Sequence, residues 1–186
     1  MWRSHIVRVT NKAKKSLYLI QKCFNRCHFQ TLTSLYKTYI RPILEFAGPV
    51  WHPIFVQDAD LLEQVQRRAT RIPFGIIRPD YQTRLAMMGL ETFSSRRMRG
   101  DMLTTFRALK GFFGVDMSGL FSLNRGNLRG HGYKLSRERF FTRSRENFLS
   151  NRVFRVWNML PHSVVNAPSV NSFKNRWDAW SSGRYL

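Results

Sequence analysis

Acidic residues are scarce in this sequence, and their scarcity narrows the classes of partner that the chain can have. The 186 residues include 11 Asp and Glu against 31 Lys and Arg, which gives a formal net charge of +20. Uncompensated charge of this size opposes compaction by self-repulsion and attracts polyanions. The composition therefore favours nucleic acid as the first candidate partner and an anionic membrane surface as the second.

Cysteine is almost absent, and no long apolar run occurs. Cys23 and Cys27 are four residues apart, so on one helix they would share a side and would bridge only with distortion. This sparse use of cysteine is typical of a reducing, intracellular compartment. No stretch approaches the roughly 20 apolar residues of a membrane-spanning helix, and the first residues lack the apolar core of a secretory signal. We therefore expect no membrane partner.

A catalytic constellation is also missing from the sequence. Asp58 and Asp60 form the one close acidic pair, and a helix cap explains them better than a metal site does. Cys23, Cys27 and His28 lack the fourth ligand that a zinc site needs. The glycines at 125–130 are not followed by the Gly-Lys-Ser/Thr ending of a phosphate-binding loop. We predict no active site and no cofactor in this chain, which leaves open whether it is part of an enzyme.

Hydrophobic residues make up 43% of the chain and aromatic residues 14%, enough for a core. Their spacing is mostly helical, which predicts a mainly α fold. The first amphipathic helix is predicted at about 4–27, and Pro42 should kink or restart the next one. Later helices are predicted at 80–89 and from Ser94 or Ser95 to 109. A further helix is predicted to end at Pro161, and the last one is predicted to begin after a Ser169 cap. Asp60 and Glu63 fit a capping box, and alternation at 133–143 predicts a small β-hairpin or extended arm.

The first predicted helix carries a basic face. At 100° per residue its cations fall within roughly 80° of one another, opposite the apolar stripe. The alternative is that this face is merely solvated, but the net charge favours a face that binds successive phosphates of a nucleic acid. The candidate nucleic-acid-binding residues on this helix are Arg8, Lys12, Lys15, Lys22 and Arg26.

A second basic segment lies between residues 121 and 160. Around Phe140 and Phe141, charged and aromatic side chains alternate. An arginine can donate two hydrogen bonds to one phosphate, and an aromatic ring can stack on an unpaired base. The alternative is that both rings are core and the arginines are merely solvated. We expect nucleic-acid binding here through Arg125, Arg129, Lys134, Arg137, Arg139, Arg143 and Arg145.

The apolar stretch at 35–53 resembles a known segment. Its Leu-Tyr-Lys, Arg-Pro, Leu-Glu-Phe-Ala and Val-Trp-His-Pro elements are similar to a block just beyond the palm of reverse transcriptases (RNA-directed DNA polymerases) from non-LTR, LINE-type, jockey-like retrotransposons. Each block is weak alone, but several follow the family's order over nearly the whole chain. The others lie at 2–6, 12–13, 62–70, 96–102, 129–131, 147–153, 157–161, 167–169 and 171–174.

The resemblance implies the thumb and C-terminal region of such a polymerase. The family's palm carries paired aspartates that bind two Mg²⁺ ions, and this sequence contains neither that motif nor the fingers. The chain is therefore expected not to polymerise DNA alone. In the family this region grips the template–primer and helps to hold the element RNA. RNA, DNA or an RNA–DNA hybrid is the implied partner, with the palm and fingers of a parent polymerase as a further one, in the nucleus and cytoplasm.

The expected architecture is mainly α, with a thumb-like helical bundle at 1–90 and a basic helical region with a small β-hairpin or arm at 91–186. Three alternatives to a nucleic-acid-binding module remain. The chain could be a portion of an active polymerase completed by a longer product, or a decayed retroelement remnant without a selected function. Peripheral membrane binding by the first helix ranks last, because the apolar face of that helix is ordinary for a core.

Overall fold

The computed structural model describes residues 2–24, 27–75, 79–115, 118–124 and 130–182. The fold is mainly helical, as the apolar spacing predicts. The chain divides into two compact units, Met1–Arg96 and Arg97–Leu186, whereas the sequence suggested a division at about residue 90. Within the described ranges, no helix has both the length and the apolar character needed to cross a membrane.

The first unit is built around the apolar stripe of its first helix. Ile6, Thr10, Ala13 and Leu17 are buried on this helix, which packs against the third and fourth helices. Its elements are α1 (Arg3–Cys23), α2 (Phe29–Leu35), a π turn (Tyr36–Ile40), α3 (Arg41–Glu45), α4 (Val56–Ala69), a 3-10 turn (Ile72–Phe74), α5 (Tyr81–Met88) and the start of α6 (Phe93–Leu109).

Pro42 interrupts the helix that runs through the middle of this unit. Helix α2 passes into the π turn, and α3 then restarts with Pro42 as its second residue. A proline lacks an N–H and crowds the carbonyl four residues before it, so the wider turn relieves a clash that a regular helix would suffer. The predicted interruption is confirmed.

A buried polar network around Gln66 connects α4 to three other segments. Its Oε1 accepts a hydrogen bond from Tyr36 Oη at 2.8 Å, and its Nε2 donates to Tyr81 Oη at 3.0 Å and to the Glu91 carbonyl at 2.9 Å. Burial raises the pKa of Tyr36 and that of Tyr81, which keeps both hydroxyls protonated. A fully buried amide with partners on both ends fixes one arrangement of these segments.

The predicted capping box at Asp60 and Glu63 is wrong. Helix α4 begins earlier, at Val56, so Asp60 lies inside it. Glu63 instead accepts hydrogen bonds from Tyr81 Oη and from the Phe93 N–H, the latter at 2.9 Å. The carboxylate therefore satisfies a free backbone donor at the start of α6 and leaves its own helix uncapped.

Stacked aromatic rings form the core of the second unit. The Phe106 and Phe173 centroids are 4.3 Å apart, and those of Trp157 and Phe173 are 6.1 Å apart. Besides the rest of α6, the unit contains a 3-10 turn (Ser118–Leu120), α7 (Arg143–Glu146), α8 (Leu149–Met159), α9 (His162–Val165) and α10 (Val170–Ser181). The Ser169 cap of α10 is confirmed, because its Oγ accepts from the Ser172 N–H at 3.1 Å.

The predicted β-hairpin is wrong for the residues that the structure describes. Pairing there is limited to a single antiparallel bridge between Leu123 and Leu135. On the other side of Leu135, the Asn158 carboxamide accepts from the Leu135 N–H at 2.9 Å and donates to its carbonyl at 3.0 Å. The Asn158 side chain thus occupies the Leu135 N–H and carbonyl, which a further strand would need for pairing. Residues 136–140 continue as an irregular arm.

The segment before this arm is fixed to the C-terminal end of α8. His131 Nε2 donates to the Trp157 carbonyl at 3.1 Å, and Trp157 Nε1 donates to the Tyr133 carbonyl at 2.8 Å. Lys134 Nζ donates to the Asn158 carbonyl. His131 and Lys134 thus donate to carbonyls of the last turn of α8, at the helix end where a positive charge is favourable.

A buried ion pair joins α6 to α8. The Arg152 guanidinium donates through Nε and Nη2 to the two carboxylate oxygens of Asp101, both at 2.7 Å. Arg152 also donates to the Asn147 carbonyl at 2.9 Å. Asp101 is 3% exposed, so its charge depends on this partner.

We therefore expect the Arg152→Met variant to lose about 3 kcal/mol of unfolding free energy, because it leaves a buried carboxylate without its guanidinium partner. The control is Arg155→Met on the exposed side of the same helix, which should lose less than about 0.5 kcal/mol. Chemical denaturation of both variants measures the difference. Equal losses would contradict a structural role for the pair.

The stability of the second unit should also depend on pH through His131. This ring is buried, its Nδ1 has no hydrogen-bond partner among the described residues, and burial lowers its pKa. The unfolded chain binds a proton near pH 6.5 while the folded chain does not, so stability falls as the pH drops from about 7 towards the lowered pKa.

Denaturation between pH 5 and pH 7 should show a weaker loss on acidification in His131→Gln than in the wild type. An unchanged pH dependence in His131→Gln would refute this assignment.

Candidate nucleic-acid interface

Arginines form the ion pairs of the described residues. In three of these pairs the guanidinium donates two parallel hydrogen bonds to one carboxylate, at Glu45, Asp101 and Asp178. No described lysine has a carboxylate within ion-pairing distance. The pairs with N–O distances below 3 Å are Arg3–Asp58, Arg96–Glu45, Arg99–Asp178, Arg145–Glu138 and Arg152–Asp101. Five of the 11 carboxylates are thus engaged in close ion pairs with arginine, and the lysine charge is left for the surface.

The basic face predicted on the first helix lies on the outside of α1. Arg8, Lys12, Lys15 and Lys22 are all exposed, on the side away from the buried stripe. An Arg8 guanidinium nitrogen lies 3.2 Å from His5 Nδ1. Arg26, the fifth predicted member, falls outside the described residues. We call the four exposed side chains the α1 basic face.

A groove beside this face was missed by the sequence analysis. It has a volume of about 490 Å³ and is lined by Lys14, Lys15, Tyr18 and Leu19 of α1 and by Arg68 of α4. Tyr18 is 50% exposed and Leu19 61%. The groove therefore combines a solvent-exposed ring and an exposed aliphatic side chain with three cations.

Part of this groove could have been found from the sequence. At 100° per residue, Tyr18 and Leu19 fall within roughly 60° of Lys15, so they belong to the outer side of the same helix. Arg68 carries no such signal, because its position depends on the packing of α4 against α1.

The arm of the second unit, which we extend here to Arg143 at the start of α7, presents three of its predicted arginines to solvent. Arg137, Arg139 and Arg143 are exposed, and the Arg137 guanidinium lies over the Phe140 ring, 4.9 Å from its centroid. Phe141 is 99% exposed, which excludes the alternative that this ring belongs to the core.

The remaining predicted residues of this segment have other surroundings. Arg145 pairs with Glu138, and its guanidinium lies 4.8 Å from the Phe148 ring centroid. Lys134 is engaged at the end of α8. Arg125 and Arg129 fall outside the described residues. The α1 basic face and the arm belong to different units, and we treat them as separate candidate surfaces.

Metal ligands are not clustered in the described part of the chain. There, no group of three or more His, Cys, Asp or Glu side chains could hold a metal ion. Helix α1 ends at Cys23, so Cys27 lies beyond it and does not share its side as the sequence suggested, and both thiols are free. A comparison of the chain with known protein families, with curated proteins and with solved structures gives no match.

Proposed function

We propose that this chain is a nucleic-acid-binding part of a non-LTR retrotransposon reverse transcriptase, which grips a template–primer or the element RNA and does not itself catalyse polymerisation. The observation that carries the proposal is the α1 basic face. Its four exposed cations have no carboxylate partner among the described residues. From residue 8 to residue 22 the helix extends about 21 Å, the length of about six phosphates along one strand of B-form DNA.

The proposed contacts are to the phosphate backbone. A lysine ammonium is a flexible point charge that can pair with any phosphate, so the α1 basic face favours affinity without reading sequence. Exposed arginines on the arm add bidentate hydrogen bonds to phosphates, and exposed aromatic rings there add stacking on bases. A surface of this kind suits a protein region that holds many different sequences in turn.

Interactions within each unit give the proposal further support. Several residues that carry the resemblance to reverse transcriptases bind a residue from another resembling block. These pairs are Tyr36–Gln66, Glu45–Arg96, Asp101–Arg152 and His131–Trp157. Blocks that pack on one another in this way favour a folded module over a decayed remnant, which would be expected to unfold without a cooperative transition.

A larger active polymerase is compatible with the same observations. In that case palm and fingers from a longer product would supply the metal-binding aspartates. An open reading frame that continues upstream of the Met1 codon and encodes those aspartates would support this version. The nucleic-acid contacts proposed for the present chain are the same in either case.

The first test replaces three lysines of the α1 basic face. Lys12→Gln, Lys15→Gln and Lys22→Gln together should weaken binding to an oligonucleotide and reduce the slope of log affinity against log salt by about one for each phosphate that the variant no longer binds. The control variant Arg71→Gln, Arg107→Gln and Arg155→Gln makes the same change in net charge at exposed positions elsewhere and should keep the wild-type slope. Equal slopes for the two variants would contradict a role for the α1 basic face.

A second test concerns the arm. Arg137→Glu, Arg139→Glu and Arg143→Glu together should lower the affinity for RNA or DNA without unfolding the chain, because all three side chains are exposed. The matched control reverses Arg107, Arg155 and Lys174 of the same unit. Circular dichroism verifies the fold of each variant, and a gel-shift titration measures affinity. If both triple variants bind equally well, the arm is not a binding surface.

A further inference from the structure

The groove between α1 and α4 exposes apolar side chains that the fold does not use. Tyr18 and Leu19 lie outside the buried stripe of α1, and half or more of each residue is exposed to solvent. Isolated exposed apolar residues are common on protein surfaces. Here, however, two adjacent ones line a groove of about 490 Å³, within the range of about 300–1,000 Å³ that is typical of small-molecule sites.

The surroundings of this apolar surface are cationic. Lys14, Lys15 and Arg68 line the same groove, and no carboxylate of the described residues forms an ion pair with any of them. Lys22 Nζ lies over the Tyr18 ring, 5.2 Å from its centroid, which is cation–π distance. The groove therefore attracts a ligand that combines negative charge with a flat apolar group.

A nucleotide with an unpaired base has this combination. Each base offers a π face that stacks on an aromatic ring, and each phosphate offers a charge to a neighbouring lysine or arginine. In a duplex the same faces are stacked inside the helix and cannot reach a ring in a protein groove. An acidic peptide would match the charge of the groove but would leave the ring without a planar partner.

We propose that this groove binds single-stranded nucleic acid by stacking one unpaired base on Tyr18, while Lys14, Lys15 and Arg68 bind the flanking phosphates. The inference rests on the proposed function and adds selectivity for single strands to it. It also assigns separate tasks to neighbouring parts of α1, because the lysines of the basic face contact backbone and Tyr18 contacts a base.

The test compares ligands that share backbone charge and differ in their bases. Fluorescence anisotropy measures the affinity for a labelled oligothymidylate of about 12 nucleotides, for the same strand with abasic sites, and for a blunt duplex of equal length. An oligouridylate strand distinguishes RNA from DNA as the source of the base. The wild type should bind the oligothymidylate at least about fivefold more tightly than the abasic strand.

Variants at Tyr18 assign this preference to the ring. Tyr18→Leu should bind the oligothymidylate and the abasic strand equally, whereas Tyr18→Phe should keep the wild-type preference because it keeps the ring. Tyr39→Leu is the matched control, since Tyr39 is an exposed tyrosine of the same unit, 59% exposed, and does not line the groove. Thermal unfolding should show similar midpoints for all three variants, because each changes an exposed side chain.

The outcomes separate the two proposals. Salt-dependent binding with equal affinity for the thymidylate and abasic strands would overturn the Tyr18 site and leave the proposed function standing. A preference that survives in Tyr18→Leu, or a duplex bound as tightly as the strand, would also overturn the site. Absence of salt-dependent binding to every ligand would overturn both. Binding to anionic vesicles that Tyr18→Leu weakens, with strand binding unchanged, would assign the groove to a membrane surface instead.

Discussion

Bidentate pairing between arginine and a scarce carboxylate is the interaction on which the two units depend. Asp101 is buried and bound by Arg152, and Glu45 is bound by Arg96, in each case across about fifty residues of sequence. Arginine suits this role because its planar fork satisfies both carboxylate oxygens at once. A chain with 11 carboxylates and 31 basic residues can form only a few such pairs, so the remaining cations stay at the surface.

The surface charge follows from the same shortage. Cations without partners repel one another and destabilise the compact state, and the aromatic core around Phe106, Trp157 and Phe173 offsets part of this repulsion in the second unit. A bound polyanion would remove it. Binding and stability are therefore linked, because any ligand that binds only the folded chain shifts the folding equilibrium towards it.

Local signals in the sequence predicted much of the fold. The Ser169 cap and the interruption at Pro42 depend on residues within a few positions, and both are confirmed. The β-hairpin failed because Asn158, which lies 23 residues after Leu135, occupies the groups that a strand would pair. The capping box failed because α4 begins before Asp60, at Val56, and because Glu63 accepts from the N–H of Phe93, which is 30 residues away.

The candidate site shows the same limit. The outward direction of Lys12, Lys15 and Lys22 follows from helical periodicity alone, so the sequence could place them. The groove needs Arg68 beside Tyr18, and only the packing of α4 on α1 brings the two helices together. Sequence periodicity therefore identifies a charged face, while the concave site on that face emerges only from tertiary structure.

The most direct measurement is the acetylation rate of individual lysines in the intact chain, determined by mass spectrometry with and without a single-stranded oligonucleotide. Lys12, Lys15 and Lys22 should be protected when the strand is bound, because their ammonium groups would pair with phosphates. Lys174 in the second unit serves as the internal reference and should react at a similar rate in both samples. Equal acetylation of the three α1 lysines with and without a bound strand would contradict the account.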